Sequence, residues 1–512
     1  MMPNAPLRRL PLAVALALVC HAAHGAELHP DLVATAQRDG RVEALIVLED
    51  QTVPLLAPMS PGADYKARRR ALVDALRSRA DARQADVRAW LDARGIAWRA
   101  FWIANTIHAS LSADELAQLS LRTDIAALEP NMEMSLQRPE PEPELDRAMP
   151  ASDAVAGIEW GVSMINAPQA WAEGVTGQGV VIAGQDTGYE WAHPAIKPQY
   201  RGWNAATQSA DHNYHWHDAI HSANGSCPAN GTQPCDDDSH GTHTAGTFAG
   251  DDGGSNQIGV APGARWIGCR NMNDGNGTPA TYLECMEWFL APTDLAGQNP
   301  DPNLAPDVIS NSWGCPPSEG CTPPAILEQA VSNLVAGGIF FAAAAGNDGP
   351  SCSSIFDPPA IYDASFVVGS STSADAISSF SGRGPVSGTS LIRPDIVAPG
   401  SGVRSAVPGG GYGSKNGTSM ATPHVAGAAA LVMSANPSLK GQPHLVGELL
   451  RATATRTGIT DPSRPNGCGG LTINVWPNHQ AGFGRLDAYA AVVAARDPAL
   501  TPVVFADGFE ED

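Results

Sequence analysis

From about residue 155 onward the chain carries five short apolar runs: "GVVIAGQD", "RWIGCR", "DVISNSWG", "GIFFAAAAGN" and "SFVVGSS". The helical stretches "APQAWAEG", "TYLECMEWFL" and "PAILEQAVSNLVAGG" lie among them. A strand that is apolar on both sides has to be covered on both sides, and helices between successive strands provide that cover. The pattern therefore predicts an α/β domain built on a mostly parallel sheet flanked by helices. In such sheets, sites gather at the carboxyl ends of the strands.

The polar motifs that interrupt this texture sit there. "VVIAGQDTG" ends a run on Asp186, followed by Thr187 and Gly188. Taken alone, a strand-end aspartate is more often a turn or cap residue. "DSHGTHTAGTFAG" opens a helix of small residues on His240, and "FAAAAGNDG" ends another run on Asn347. "NGTSMATPHVAG" seats Ser419 at a helix N-terminus, where backbone N–H groups point outward and the dipole favours negative charge. Together they meet the needs of acyl transfer. A serine hydroxyl is a poor nucleophile until an imidazole takes its proton. The imidazole needs a carboxylate to fix its tautomer and stabilise the imidazolium, and the tetrahedral intermediate needs donors aimed at its oxyanion. Ser419, His240, Asp186 and Asn347 are the candidates for these roles, in that order. Pro423 is expected in the first turn of the serine helix, where a missing N–H leaves no bond unmade.

Upstream, residues 1–25 have the form of a secretory signal: Arg8 and Arg9, then "LPLAVALALV", too short to span a bilayer, then Ala23 and Gly25 suited to a cut after Gly25. A lipoprotein anchor at Cys20 is the weaker reading, because Val19 is too large for that signal. Residues 26–137 form a small α+β domain. Its order is strand "VEALIVLED", a long helix from "DYKARRR" to "LDARG", strand "AFWIANTIHASL", helix "SADELAQLSL" and strand "IAALEPNMEM". Ser112 and Glu115 make a capping box on the second helix. Residues 138–154 are proline-rich and charged, an extended, cuttable linker. Residues 155–490 hold the α/β domain, and 491–512 form an acidic C-terminal tail of no evident role. No other stretch has 18 unbroken apolar residues, so no membrane association is expected once the signal is removed. The net charge of -22 argues against nucleic acid and anionic membrane surfaces as partners.

Four motifs, "DTG", "HGTHTAGT", "AAAGN" and "GTSMATPHVAG", in the chain order Asp, His, Ser, resemble those of the subtilisin-like serine proteases, above all the bacillopeptidase F-like members. The resemblance starts at "WGVSMINAPQAWAEG", includes "NQIGVAPGARWIG" and "APDVISNSWG", and reaches about residue 490. It implies that Asp186, His240 and Ser419 form the triad, with Asn347 and the backbone N–H of Ser419 as oxyanion donors. It implies that Ser312, Trp313 and Gly314 of "NSWG" pair with substrate backbone and wall the pocket for the residue before the cut. It also implies a subtilisin-like sheet preceded by a ferredoxin-like propeptide that inhibits its own enzyme. Protein and peptide substrates, an acyl-enzyme intermediate, self-processing and secretion follow from the same likeness, and no cofactor is required for the chemistry. Family members often bind calcium, but no calcium site maps onto this sequence residue by residue, so the metal sites stay unassigned. Two other classes are weighed against this. An inactive relative kept for binding is disfavoured because all four catalytic positions are filled. A serine-carboxyl peptidase would carry an acid where His240 stands.

The insert "HNYHWHDAIHSANGSCPANGTQPCDDD" before His240 departs from the family pattern. His212, His215, His217 and His221 offer metal ligands and Asp236, Asp237 and Asp238 offer calcium ligands, but a solvated loop explains both clusters. His243 and His424 are expected to be packed, hydrogen-bonded histidines. Eight cysteines remain after Cys20, an even number that implies four disulfides in an oxidising compartment. Cys227–Cys235 and Cys315–Cys321 each close a short loop holding proline and glycine; Cys269–Cys285 and Cys352–Cys468 remain by elimination. Last, the family's floor for the pocket before the cut falls on "DGPSCSSIFDPPAIYDA", at or near Asp357. A carboxylate there would favour arginine or lysine. The competing reading has Asp357 shape a surface turn before Pro358, with Trp313 setting an apolar preference.

Overall fold

The computed structural model describes residues 25–51, 64–136, 138, 157–222, 225–314 and 325–497. The signal up to residue 24, nearly all of the linker, the chain beyond 497 and the Cys315–Cys321 pair lie outside them.

Seven parallel strands form the main sheet, in the spatial order Trp216–Asp218, Arg265–Arg270, Val181–Asp186, Val308–Asn311, Phe340–Ala344, Phe366–Ser371 and Ile396–Pro399. Five of these are the apolar runs of the sequence. Successive side chains of a strand point to opposite faces, and both faces here are buried. Ile182, Val308, Phe340 and Ala342 enter one core, and Ala183, Ile309, Phe341 and Ala343 enter the other. Helices His240–Ala249, Thr418–Ala435 and Ala488–Arg496 cover the first face, and Pro279–Leu290 and Ala325–Ala336 cover the second. The last helix of the first face runs through the boundary expected at residue 490. Its Ala491, Val492, Ala494 and Ala495 are core residues, so the packed domain continues to Arg496.

The edge strand Trp216–Asp218 was not legible as a strand. It lies in the histidine-rich insert, where Trp216 pairs with Gly268 and is fully buried. Only the neighbouring strand reveals it, because "HNYHWHD" has no apolar run. Pro423 also departs from expectation: it lies inside Thr418–Ala435, beyond the first turn. Its missing N–H would have bonded the carbonyl of Ser419, four residues back. The Ser312 hydroxyl donates to that carbonyl instead, at 3.0 Å.

The N-terminal region has its own five-stranded sheet, in the order Glu27–Leu28, Ile125–Pro130, Val42–Leu48, Thr106–Leu111, Trp98–Phe101. The helix Tyr65–Asp92 and the Ser112–Glu115 capping box stand as expected. The helix Pro30–Asp39, missed in the sequence, packs beneath them through Leu32 and Ala36. "AFWIANTIHASL" is not one strand but two, with a tight turn at Trp102–Asn105. The turn was hidden because its residues are apolar: Ile103 and Ala104 are buried against the main domain.

Three disulfides are described, Cys227–Cys235, Cys269–Cys285 and Cys352–Cys468, all as expected. The last ties the segment after Asn347 to a loop 116 residues onward. In the chain-entropy model, closing a loop of about 100 residues is worth about 4.7 kcal/mol. A Cys352→Ser/Cys468→Ser protein is therefore expected to melt on the order of 10 °C lower in calorimetry. A shift of less than about 2 °C would show that the bridge adds little beyond the packing around it.

Candidate active site

Asp186 is the last residue of its strand, and the backbone N–H of Asn271, just past the neighbouring strand, fixes its carbonyl at 3.0 Å. The Asp186 side chain is 2% exposed as a residue, and its Oδ1 lies 2.7 Å from His240 Nδ1. The same oxygen accepts from the Thr187 N–H at 2.8 Å, and the Thr244 hydroxyl reaches Oδ2 at 3.4 Å. This leaves the imidazole with Nδ1–H toward the carboxylate and Nε2 turned the other way, the tautomer a general base needs.

His240 starts its helix, and Asp236, expected in a solvated loop, holds that start in place. Asp236 is half-buried, and its carboxylate accepts from the N–H of Ser239 at 2.9 Å, the N–H of Thr242 at 2.9 Å and the Thr242 hydroxyl at 2.6 Å. Thr187 of "DTG" completes the anchor: its hydroxyl donates to Asp236 at 2.8 Å and accepts from the Gly241 N–H at 3.0 Å. An anion thus holds the free N–H groups of the helix start, as the macrodipole favours. Burial raises the Asp236 pKa, opposed by the bonds from Thr242, Ser239 and Asp238. Gly188 has to be glycine, because a Cβ there would stand 1.7 Å from the carbonyl oxygen of Cys235.

Ser419 is the second residue of its helix and 5% exposed. Gly417 precedes the helix at φ 148°, in a region L side chains rarely adopt. The Ser419 hydroxyl donates to the Ser312 carbonyl at 2.8 Å, while the Ser312 hydroxyl donates back to the Ser419 carbonyl. Asn347 Oδ1 accepts from the Thr418 N–H at 2.9 Å and the Thr418 hydroxyl at 3.0 Å. With the oxygen so used, the orientation of the carboxamide is set. Asp186 ends its strand, Ser312 and Asn347 follow the next two, and Ser419 bonds the residue just past the middle one. The Trp313 ring is 2% exposed and stacks on Tyr282 with centroids 3.7 Å apart. What Ser312–Gly314 presents at this edge is backbone, not indole.

The polar insert is folded into the protein. His217 and His221 reach Glu284 at 2.7 and 2.8 Å, and Arg99 of the N-terminal region reaches the same carboxylate at 2.6 Å. Burial pushes the Glu284 pKa up, but the two histidines and Arg99 together hold it at about 2. His212 bonds Tyr200, and His215 bonds the Asp211 carbonyl. Asp237 takes Arg270 and the Asp274 N–H, and Asp238 takes Arg138. Among the described residues no group of three or more His, Cys, Asp or Glu side chains is arranged to hold a metal ion. His243 donates through Nε2 to the carbonyls of Val403 and Gly413, and His424 donates to Met420, as packed histidines do.

Serine endopeptidase is the class that this sheet and its carboxyl edge define. The chain belongs to the subtilase family, whose model matches residues 177–469. It is similar to Bacillopeptidase F of Bacillus subtilis (strain 168), with 36% identity over 441 residues, covering 84% of this chain and 29% of that one. The chain thus spans less than a third of that relative's length. It is also similar to Subtilisin of Bacillus pumilus, 34% identical over 303 residues (59% of this chain, 93% of the relative), and to Subtilisin BL of Lederbergia lenta, 36% identical over 305 residues (59% and 94%).

The buried histidines have a consequence for acid stability. Burial pushes His243 down to about 3 and His424 down to about 4, from an ordinary 6.5. A histidine depressed in the folded state binds fewer protons there than in the unfolded chain. Its stabilisation is complete above pH 6.5 and is lost as pH falls toward its folded value. For His424 the loss is on the order of 3 kcal/mol at pH 4. Melting of an inactive Ser419→Ala protein should fall steadily between pH 6.5 and 4, and a further His424→Gln change should flatten that slope. An unchanged slope would place the acid sensitivity elsewhere.

Proposed function

We propose that the chain is made as a secreted precursor and hydrolyses peptide bonds in proteins through Asp186, His240 and Ser419. His240 Nε2 takes the Ser419 proton as Oγ attacks the substrate carbonyl, and the oxyanion forms between the Asn347 NH₂ and the Ser419 N–H. The proton passes to the leaving amine, and water then releases the acyl group with His240 again as base. No cofactor enters the chemistry. The observation that carries this reading is the buried 2.7 Å contact between Asp186 and His240, on an edge shared with Ser419.

Ser419→Ala should abolish peptidase activity and fluorophosphonate labelling with folding intact. The precedent in subtilisin, a relative, is a loss of about a millionfold in turnover. Asn347→Leu should cost roughly a hundred- to a thousandfold on that relative's precedent. Near-normal turnover of the Ser419→Ala protein would refute the assignment.

The N-terminal region acts, in this proposal, as an inhibitory propeptide of ferredoxin-like fold. Four of its strands and two of its helices run β-α-β-β-α-β, which supports that fold. Its apolar turn bonds the helices of the second face. Glu287 accepts from the N–H groups of Trp102 and Ile103 at 2.6 and 3.1 Å, and Asn333 donates to the Ile103 carbonyl at 2.6 Å. The segment that follows adds Met134–Ser135 as a strand beside Asn276–Gly277, and Arg138 then pairs with Asp238, two residues before His240. Residues 134–136 and 138 thus run toward the His240 helix, which supports a product-like approach of this segment to the cleft. The linker 138–154 is then the segment that Ser419 itself cuts, and the signal 1–25 directs export. Among the described residues no helix is long and apolar enough to cross a membrane.

The isolated N-terminal region should inhibit the matured enzyme when added in trans. Glu287→Ala removes a charged acceptor from two N–H groups, and inhibition should weaken roughly ten- to a hundredfold. Burial pushes Glu287 up to about 7, so the comparison belongs at pH 8. Unaltered inhibition would mean that the turn contributes nothing to docking.

A further inference from the structure

The sheet face that Ala183 and Ile309 line turns polar one step further along each strand. There Gln185 and Asn311 stand directly opposite each other. Both are fully buried, and so is Asn271 beside them. A buried carboxamide is costly unless it is bonded, and the bonds of these three run in one direction. Asn271 Nδ2 donates to Gln185 Oε1 at 3.4 Å, Gln185 Nε2 donates to Asn311 Oδ1 at 2.7 Å, and Asn311 Nδ2 donates to the Trp313 carbonyl at 3.2 Å. In Gln185 and Asn311 the oxygen accepts from the amide before, which leaves the NH₂ for the next acceptor and sets how each carboxamide is turned.

The last acceptor lies where the strand Val308–Asn311 has already ended. Ser312, the first residue past it, is held by Ser419. The carbonyl of Trp313, the second, is held inward by Asn311. The C=O and N–H of one trans peptide point in opposite directions. The Gly314 N–H is therefore turned away from the buried amides, outward at the edge that Ser312–Gly314 presents.

We infer that Asn311, itself oriented by Gln185, is a positioning residue: it keeps the Trp313–Gly314 peptide turned so that the Gly314 N–H can donate to the backbone of a bound substrate. This rests on the peptidase reading above. Asn311 touches neither the substrate nor the reacting atoms; it acts through the peptide whose carbonyl it holds. A leucine in its place fills similar space and supplies no donor, so the peptide is free to turn.

The test uses enzyme matured from the full chain, its concentration fixed by fluorophosphonate titration. Two substrates are compared: a peptide amide extending at least three residues before the cut, and p-nitrophenyl acetate, too small to reach Gly314. In Asn311→Leu the ratio of their kcat/KM values should fall about tenfold or more, the worth of one hydrogen bond. Gln185→Leu/Asn311→Leu, in which Gln185 is not left without its acceptor, should show the same loss. Asn311→Asp is the sharper variant. Its ionised carboxylate still accepts from Gln185 but has no proton for the Trp313 carbonyl, whereas its protonated form does. Burial raises such a carboxyl, so the ratio should be low at pH 8 and recover toward pH 5, which a merely structural role would not produce. The wild type alone also decides the matter if the variants do not fold. Hydrogen exchange at the Gly314 N–H should slow about tenfold or more when Ser419 carries an extended peptidyl phosphonate rather than diisopropyl fluorophosphate. An unchanged substrate ratio in the variants, or equal exchange under the two labels, would overturn the assignment. A wild type that neither cleaves peptides nor reacts with a fluorophosphonate would refute the peptidase reading itself; an active one with an unchanged ratio would refute only the role of Asn311.

Discussion

Two hydrogen bonds between Ser312 and Ser419 tie the serine helix to the sheet. One exists because Pro423 lies in the helix interior and leaves the Ser419 carbonyl without its partner four residues on. The other turns the Ser419 hydroxyl toward the strand end. A buried carbonyl without a donor costs on the order of 1–3 kcal/mol, so the helix cannot slide without losing this contact. The position of Ser419 is thereby coupled to the end of Val308–Asn311, which neighbours the strand that ends on Asp186. The proline that looks like a helix breaker is what commits the helix start to the sheet edge.

The same logic governs the buried charges. The chain carries a net charge of -22, yet several of its carboxylates are buried or half-buried in the folded protein. Each is held by donors: Asp236 by the start of the His240 helix, Asp218 by the N–H groups of Gly231 and Ile220, Asp237 by Arg270, and Glu284 by two histidines. Removing one partner from such a pair costs more than the pair contributes, because the other charge stays buried. The long insert before His240 is thus part of the scaffold that aims the imidazole, clipped by Cys227–Cys235 and joined to the sheet through Trp216–Asp218.

The N-terminal region and the main domain share one apolar core. Leu72, Val73, Leu76, Phe101 and Ile103 of the former pack with Tyr282, Leu283, Met286 and Phe289 of the latter. Arg69, fully buried, donates to the Gly337 carbonyl at 2.7 Å, just past the end of the helix Ala325–Ala336. A contact of this kind ties the folding of each part to the other through burial that neither can complete alone.

The sequence by itself held the apolar runs of the sheet and marked the candidates for acyl transfer. Both-face-apolar runs have one stable solution, and the residues after them, Asp186, His240, Asn347 and Ser419, carry recognisable chemistry whatever surrounds them. It also held the capping box at Ser112 and three disulfides that the structure contains. What only the tertiary structure decided is where a side chain spends its polarity or its apolar surface. Asp236 reads as a solvated acid until the helix start it anchors is in place. Trp102–Asn105 reads as strand until the helices it docks on are present. Trp313 reads as a pocket wall until Tyr282 covers it, and Asp357 reads as a candidate surface turn until the fold buries it beside Gly314 and Gly346. Period and composition are local and survive in the chain; the partner of a polar group lies far away in sequence, and only folding brings it near.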